Sequence, residues 1–156
     1  MKKLIFSILA LATVTVATAQ KNKISYKVGV VTGLPANVTN TTVGAGSTMV
    51  EASTKVSNKL HATLNTGYMR IVRQDDSKFS QVPVLVGVKY AINPQWYFGA
   101  GAGITIPTMS AYGDTEFGYS PYVGYQKGHI SVDMRYYLSG LETPINTMML
   151  VFSYSL

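Results

Sequence analysis

The chain has 156 residues, a length that suits one domain better than two. It contains no cysteine, which excludes disulfides, thiolate metal sites and a lipid-modified N-terminal cysteine. Only 13% of its residues are charged, against about 25% in ordinary soluble domains. The formal net charge is +6, but the basic residues are scattered along the chain, so they do not indicate a nucleic-acid-binding surface.

The N-terminus has the organisation of a signal peptide. Two lysines precede an apolar core over residues 4–12, and Ala-Thr-Ala at 17–19 matches a cleavage site. A membrane-anchor helix is the alternative, but this stretch contains several hydroxyl residues and is short for a span. The sequence therefore predicts a cleaved signal peptide over residues 1–19 and one exported domain over residues 20–156. No later stretch has 18 consecutive apolar residues, so any membrane span must be built from strands.

After residue 20, apolar and polar residues alternate in eight segments, which predicts eight strands. The segments are residues 24–34, 43–53, 60–69, 82–90, 96–106, 117–125, 130–138 and 148–156. Segments of about ten residues are long enough to cross a bilayer at a tilt. The turns at 54–59, 91–95 and 127–128 look shorter than the alternate connections, of which the polar stretch 72–78 is predicted to be a loop.

The two segments within residues 82–104 indicate which face of the strands is the outer one. One face carries alternate valines and then Trp96 and Phe98, while the other carries Lys89 and repeated glycines. On a water-exposed face glycine would weaken the strand without benefit, whereas inside a narrow barrel it makes room for large neighbours. The pattern favours an apolar face that meets lipid. The alternative is a secreted soluble ligand-binding barrel, in which the apolar face points inward.

Aromatic residues on the apolar face are concentrated toward the strand ends. They are Tyr26, Tyr90, Trp96, Tyr125 and Tyr154 near one end of the predicted barrel, and Tyr68, Phe117, Tyr119 and Tyr136 near the other. Two aromatic belts around an aliphatic middle are typical of the two lipid–water interfaces. Simple cross-strand pairing in a core would not sort aromatic residues to the ends. These residues are therefore predicted to lie at the membrane interfaces.

The opposite face carries a predicted lumen charge network. Its members are Lys27, Glu51, Lys89, Asp133 and Arg135, with His61 nearby in register. One interpretation is a path for ions or protons, and the other is a set of ion pairs that plugs the barrel. The plug is favoured because eight strands leave an interior just wide enough for side chains, and because buried charges must be paired. No metal site or other cofactor is expected, since the chain has two histidines and no cysteine.

Three smaller features complete the sequence pattern. His129, Ser131 and Glu142 are the one histidine, serine and carboxylate set close in sequence, but Glu142 is predicted at the far end of the strand from Ser131, too distant for a triad. Arg70, Arg73 and Lys78 are predicted at one rim, where they could meet anionic lipid head groups. Pro83 and Pro121 are predicted to lie at bulges or near strand ends, since proline removes a ladder donor.

The chain resembles the small outer-membrane β-barrel domain proteins of Gram-negative bacteria, of the OmpA/OmpX membrane-domain kind. The resemblance is carried by Val-Pro-Val-Leu-Val-Gly-Val-Lys-Tyr at 82–90, Trp-Tyr-Phe-Gly-Ala-Gly-Ala-Gly at 96–103, Val-Asp-Met-Arg-Tyr at 132–136 and the aromatic C-terminal strand. It implies an all-β, eight-stranded antiparallel up-and-down transmembrane barrel in the cell outer membrane. The set His129, Ser131 and Glu142 also loosely resembles the arrangement in lipid A deacylases.

The family resemblance also sets expectations for partners and role. The partners it implies are outer-membrane lipid and lipopolysaccharide, together with the barrel-assembly machinery through the C-terminal strand. That strand ends in Leu156, where the family usually has Phe. The expected role is structural or surface-interacting and non-enzymatic, with the extracellular partner unknown. A narrow pore for small solutes is the alternative, followed by a lipid-modifying barrel enzyme.

Overall fold

The chain forms a closed antiparallel barrel. The computed structural model describes residues 24–35, 42–73, 78–108, 115–140 and 145–156. Its strands are β1 (Ile24–Pro35), β2 (Thr42–Lys55), β3 (Leu60–Arg73), β4 (Lys78–Ala91), β5 (Trp96–Pro107), β6 (Glu116–Lys127), β7 (Ile130–Ser139) and β8 (Ile145–Ser155). Each strand pairs with the next, and β8 pairs with β1 to close the sheet. The predicted eight-stranded up-and-down barrel is confirmed. Within the described ranges, no helix is long and apolar enough to cross a membrane.

The strands are longer than predicted, and the bounds predicted for one loop, residues 72–78, were too wide. Residues 72 and 73 belong to β3 and residue 78 to β4, with Val72 opposite Lys78 in the ladder. Ladder hydrogen bonds join backbone groups, so polar side chains do not stop a strand whose neighbours continue beside it. The β3–β4 connection is therefore residues 74–77, as short as the turns 56–59 and 92–95 at the other end.

Two of the turns show why the chain reverses where it does. The side-chain Oδ1 of Asn93 accepts hydrogen bonds from the backbone N–H groups of Gln95, at 2.9 Å, and Trp96, at 2.8 Å. Gly128 has φ of 62°, the left-handed conformation that a two-residue hairpin turn requires. The end of the barrel that carries turns 56–59, 92–95 and 128–129 is termed the inner end below, and the opposite end the outer end.

Alternation along the strands gives the barrel an apolar exterior and an interior that holds buried charged side chains. Outward-facing Val30 is 61% exposed and Phe98 is 50% exposed, and neighbouring outward positions are also apolar. Inward-facing Glu51, Asp133 and Arg135 are each no more than 3% exposed. A protein that folds in water has the reverse arrangement, because burying apolar area drives its folding. The exterior is suited to lipid.

The prediction for the two prolines was wrong. Pro83 lies inside β4 and Pro121 inside β6, away from the strand ends. The β3–β4 ladder lacks the pairs around Pro83, and the β6–β7 ladder lacks those around Pro121, yet both ladders continue beyond the gap in the same register. Each missing proline N–H therefore opens a short gap in the ladder without adding a residue to the strand.

Candidate functional site in the barrel interior

The four acidic and basic side chains at the centre of the interior form one ion-pair network. Lys89 Nζ lies 2.7 Å from Glu51 Oε1, and Arg135 Nη2 lies 3.2 Å from Glu51 Oε2. Arg135 Nη2 also lies 2.8 Å from Asp133 Oδ2. Glu51 is on β2, Lys89 on β4 and Arg135 on β7, so the network connects strands that are not hydrogen-bonded to each other. The bridging geometry depends on barrel closure.

Two tyrosines cover this network. The Tyr97 hydroxyl donates a hydrogen bond to Asp133 Oδ1, and the guanidinium carbon of Arg135 lies 4.2 Å from the centroid of the Tyr122 ring. Glycine provides the space for both rings: a Cβ on Gly124 would stand 2.5 Å from ring atoms of Tyr97, and one on Gly99 equally close to Tyr122. Gly99 and Gly124 are therefore required by packing, as the sequence pattern indicated.

The outer half of the interior is filled by apolar side chains. The buried cluster consists of Val31, Met69, Leu85, Tyr137, Met149 and Val151, with Met49 packed against it. The Tyr137 hydroxyl lies 2.5 Å from Thr105 Oγ1, so its polar end is satisfied. A cavity of about 40 Å³ remains beside this cluster. This division of the lumen was not predicted from the sequence, although Leu85 and Val151 occupy inward positions of alternating strands.

The fifth predicted network member, Lys27, is placed apart from the ion pairs. Its Nζ donates to Gln126 Oε1 at 2.8 Å and to Ser131 Oγ at 3.1 Å, and lies 5.1 Å from the Tyr97 ring centroid. Among the described residues it forms no ion pair with a carboxylate. It borders a cavity of about 370 Å³ at the inner end, which His61 and Lys89 also line.

The aromatic residues predicted at the membrane interfaces all point outward from the barrel, away from its lumen. Tyr26, Tyr68, Tyr90, Trp96, Phe117, Tyr119 and Tyr154 are exposed, and Tyr125 and Tyr136 are half-buried. Trp96 packs edge-on against Tyr125 with ring centroids 5.2 Å apart, and Tyr90 packs against Phe98 at 5.4 Å. Cross-strand pairing and sorting to the strand ends thus occur together at these positions.

The structure does not bring the histidine and serine of the possible triad together. Ser131 Oγ lies 2.8 Å from Ser153 Oγ inside the barrel, whereas the exposed His129 ring stacks on Tyr154 and its Nδ1 lies 2.9 Å from the Ser155 carbonyl oxygen. Glu142 lies outside the described residues. His129 is therefore not placed to act as the general base for Ser131.

The remaining predictions concern the rim, the N-terminus and metals. Arg70 points outward and is exposed, while the side chains of Arg73 and Lys78 lie outside the described part of the chain. The predicted signal peptide over residues 1–19 also lies outside it. Within the described residues, no three histidines or carboxylates are grouped closely enough to hold a metal ion.

A closed eight-stranded barrel with an apolar exterior and a charged interior defines a small transmembrane β-barrel of the outer-membrane class. Several solved structures share the fold, among them the following three. Ail of Yersinia pestis in a phospholipid bilayer nanodisc is 14% identical with a TM-score of 0.61, covering 86% of this chain and 100% of that one. Ail with the heparin analogue sucrose octasulfate is 15% identical with a TM-score of 0.52, covering 86% and 97%. Neisserial surface protein A is 14% identical with a TM-score of 0.51, covering 85% and 94%.

At this level of identity the likeness concerns the fold. No family model matches the chain, and no curated protein matches it in sequence. Localisation in the outer membrane follows from the fold together with the apolar exterior, because strands of this kind span a membrane only as a closed barrel.

Proposed function

We propose that this outer-membrane barrel has a structural or surface-interaction role and that its own side chains close its lumen. The observation that carries the proposal is that two sets of side chains block the lumen, one in its inner half and one in its outer half. The network of Glu51, Lys89, Asp133 and Arg135 crosses the inner half. The apolar cluster around Met69 and Tyr137 fills the outer half. A barrel that conducts nothing acts through its surface and its place in the membrane.

The likeness to Ail and to neisserial surface protein A supports a role at the cell surface. Ail has been studied in lipid bilayer and with a heparin analogue, and NspA is a surface protein by name. For this chain, lipid and lipopolysaccharide are the expected contacts of the exterior. We assign recognition by the barrel-assembly machinery to β8, whose outward residues include Phe152 and Tyr154. As part of the same proposal, we group this chain with the OmpA/OmpX membrane domains.

We also propose that the protein is not an enzyme. Ser131 is buried and hydrogen-bonded to Lys27 and Ser153. A nucleophilic serine needs a base within hydrogen-bond reach, and an ammonium group that donates its N–H to Ser131, as Lys27 does, cannot accept the serine proton. Lipid hydrolysis that disappears in Ser131→Ala would overturn this part of the proposal.

Conductance in planar lipid bilayers tests the closed lumen. The wild-type protein is expected to insert without conductance steps. Lys89→Ala/Arg135→Ala opens only the inner barrier and Met69→Gly/Tyr137→Gly only the outer one, so each is expected to remain closed. The four substitutions combined are expected to conduct.

Folding of every variant is checked by heat-modifiable migration in detergent gels. Conductance steps from the wild-type protein would contradict the proposal, and so would a folded quadruple variant that stays closed. Wild-type conductance would instead support the second candidate function, a narrow pore for small solutes. The observation that favours this candidate is the inner cavity, which already extends as far as Lys27 and Lys89.

A further inference from the structure

The cavity at the inner end has the size and lining of a binding site. Its volume of about 370 Å³ lies within the range of about 300–1,000 Å³ typical of small-molecule pockets. Its lining combines the basic side chains of Lys27, Lys89, His61 and His129 with neutral hydrogen-bonding groups that include Ser25 and Ser53. Lys27 and Lys89 are the cationic side chains of this lining, and no aspartate or glutamate side chain of the described residues is part of it; the last residue, Leu156, also borders the cavity.

Lys27 is the decisive residue because its charge is buried and not neutralised. It is 6% exposed. Glu51 is its cross-strand neighbour, but the Glu51 carboxylate is already bound to Lys89 and Arg135. Asp133 is likewise bound to Arg135 and Tyr97. A buried charge without a counter-ion is costly, so the site favours a ligand of opposite sign.

The hydrogen-bonding capacity of the two lysines is also incomplete. An ammonium group has three N–H donors. Lys27 uses two of them on Gln126 and Ser131, and Lys89 uses one on Glu51. Both Nζ atoms lie within 5.5 Å of the centroid of one ring, that of Tyr97, so their like charges face a shared region. The Ser155 hydroxyl, another lining group, has no hydrogen-bond partner within the described residues.

We infer that this cavity, whose lining residues are Lys27, Lys89, His61 and Ser25 among others, binds a small oxyanion, of the phosphate or carboxylate class. The anion neutralises Lys27, accepts the free N–H donors of Lys27 and Lys89, and leaves the ion pairs of Glu51 in place. Lys89 contributes through its remaining donors while it stays bound to Glu51. This inference does not depend on whether the lumen conducts, because the residues that line the cavity all lie in the inner half of the barrel.

Calorimetric titration of the folded protein in non-ionic detergent tests the site, with inorganic phosphate and acetate as separate probes at low chloride. At least one probe is expected to bind saturably with one site per chain. Lys27→Gln is expected to weaken that binding about tenfold or more, since a hydrogen bond to a charged group is lost. Lys127→Gln is the matched control, because it removes the same charge from an exposed position at the same end but outside the cavity.

A second variant keeps the test independent of the folding of Lys27→Gln. Ser25 is exposed at the cavity lining, so Ser25→Trp is expected to fold and to reduce binding by obstructing the cavity. The inference is overturned if neither probe binds saturably to the wild-type protein. It is also overturned if Lys127→Gln weakens binding as much as Lys27→Gln, or if Ser25→Trp binds as tightly as the wild type.

Discussion

The carboxylate of Glu51 on β2 lies 2.7 Å from the ammonium nitrogen of Lys89 on β4, although β3 separates the two strands. The same carboxylate lies 3.2 Å from the guanidinium of Arg135 on β7. One acidic side chain thus connects three strands that do not hydrogen-bond to each other. These contacts form only when the barrel closes, so they stabilise the closed barrel specifically.

Loss of the buried ammonium group is expected to destabilise the barrel. Lys89→Gln leaves Glu51 with one cationic partner in place of two, and breaking a buried ion pair costs about 3–5 kcal/mol. The free energy of unfolding, measured by urea titration in phospholipid vesicles, should fall by an amount of this order. Lys127→Gln, the same change at an exposed position, should alter it by less than about 0.5 kcal/mol. Equal effects of the two substitutions would show that Lys89 is not in a buried pair.

A methyl group added in the interior should be poorly tolerated. In Gly124→Ala the new Cβ would meet the Tyr97 ring and the Asp133 carboxylate, both of which are fixed by their mutual hydrogen bond. Overpacking of this kind costs about 1–3 kcal/mol. Gly46→Ala is the matched control, since no atom lies within 4 Å of its new Cβ. The prediction fails if urea unfolding in vesicles gives the same stability for both variants.

A charged residue introduced on the exterior surface of the barrel tests whether that surface contacts lipid or water. Val86 faces outward near the middle of β4, and arginine at the bilayer midplane of such a barrel costs about 2–4 kcal/mol. Val86→Arg should lower the free energy of unfolding in vesicles by about this amount. Val56→Arg, in the exposed turn 56–59, should have little effect. Similar stabilities for the two variants would indicate that Val86 faces water.

The depth of the inner aromatic belt can be measured directly, because Trp96 is the only tryptophan. It is 47% exposed at the first position of β5, beside Tyr125. In vesicles of brominated phospholipids, its fluorescence should be quenched most by bromines near the head groups, since tryptophan prefers the interface. Strongest quenching by bromines near the chain ends would contradict the interface assignment, as would quenching only by aqueous acrylamide.

Strand order and the facing of side chains could be predicted because both follow from local alternation. The period of two in residues 82–104 identifies the outward valines, and the barrel confirms that Val86 and Val88 face outward. The position of the ion pairs could not be predicted in the same way. Which acid meets which base depends on how β2, β4 and β7 curve toward each other, and no local pattern contains that information.

Other features were missed or predicted wrongly for identifiable reasons. The apolar outer half of the lumen was missed because Leu85 and Met149 are inward residues in strands where the outward residues are apolar as well. Pro83 was expected at a bulge or near a strand end, but the ladder tolerates a local gap opposite Gly67, a residue without a side chain. Lys27 was grouped with the ion pairs, whereas the structure places it beside Gln126 and Ser131.

The central claim is that this chain resides in the outer membrane as a folded barrel. Density-gradient separation of the membranes of a Gram-negative cell that produces the full chain tests it most directly. The protein is expected in the outer-membrane fraction, in a form that migrates faster before boiling than after it. Recovery in the soluble fraction without detergent would contradict the claim, because the apolar exterior around Val30 and Phe98 would then face water.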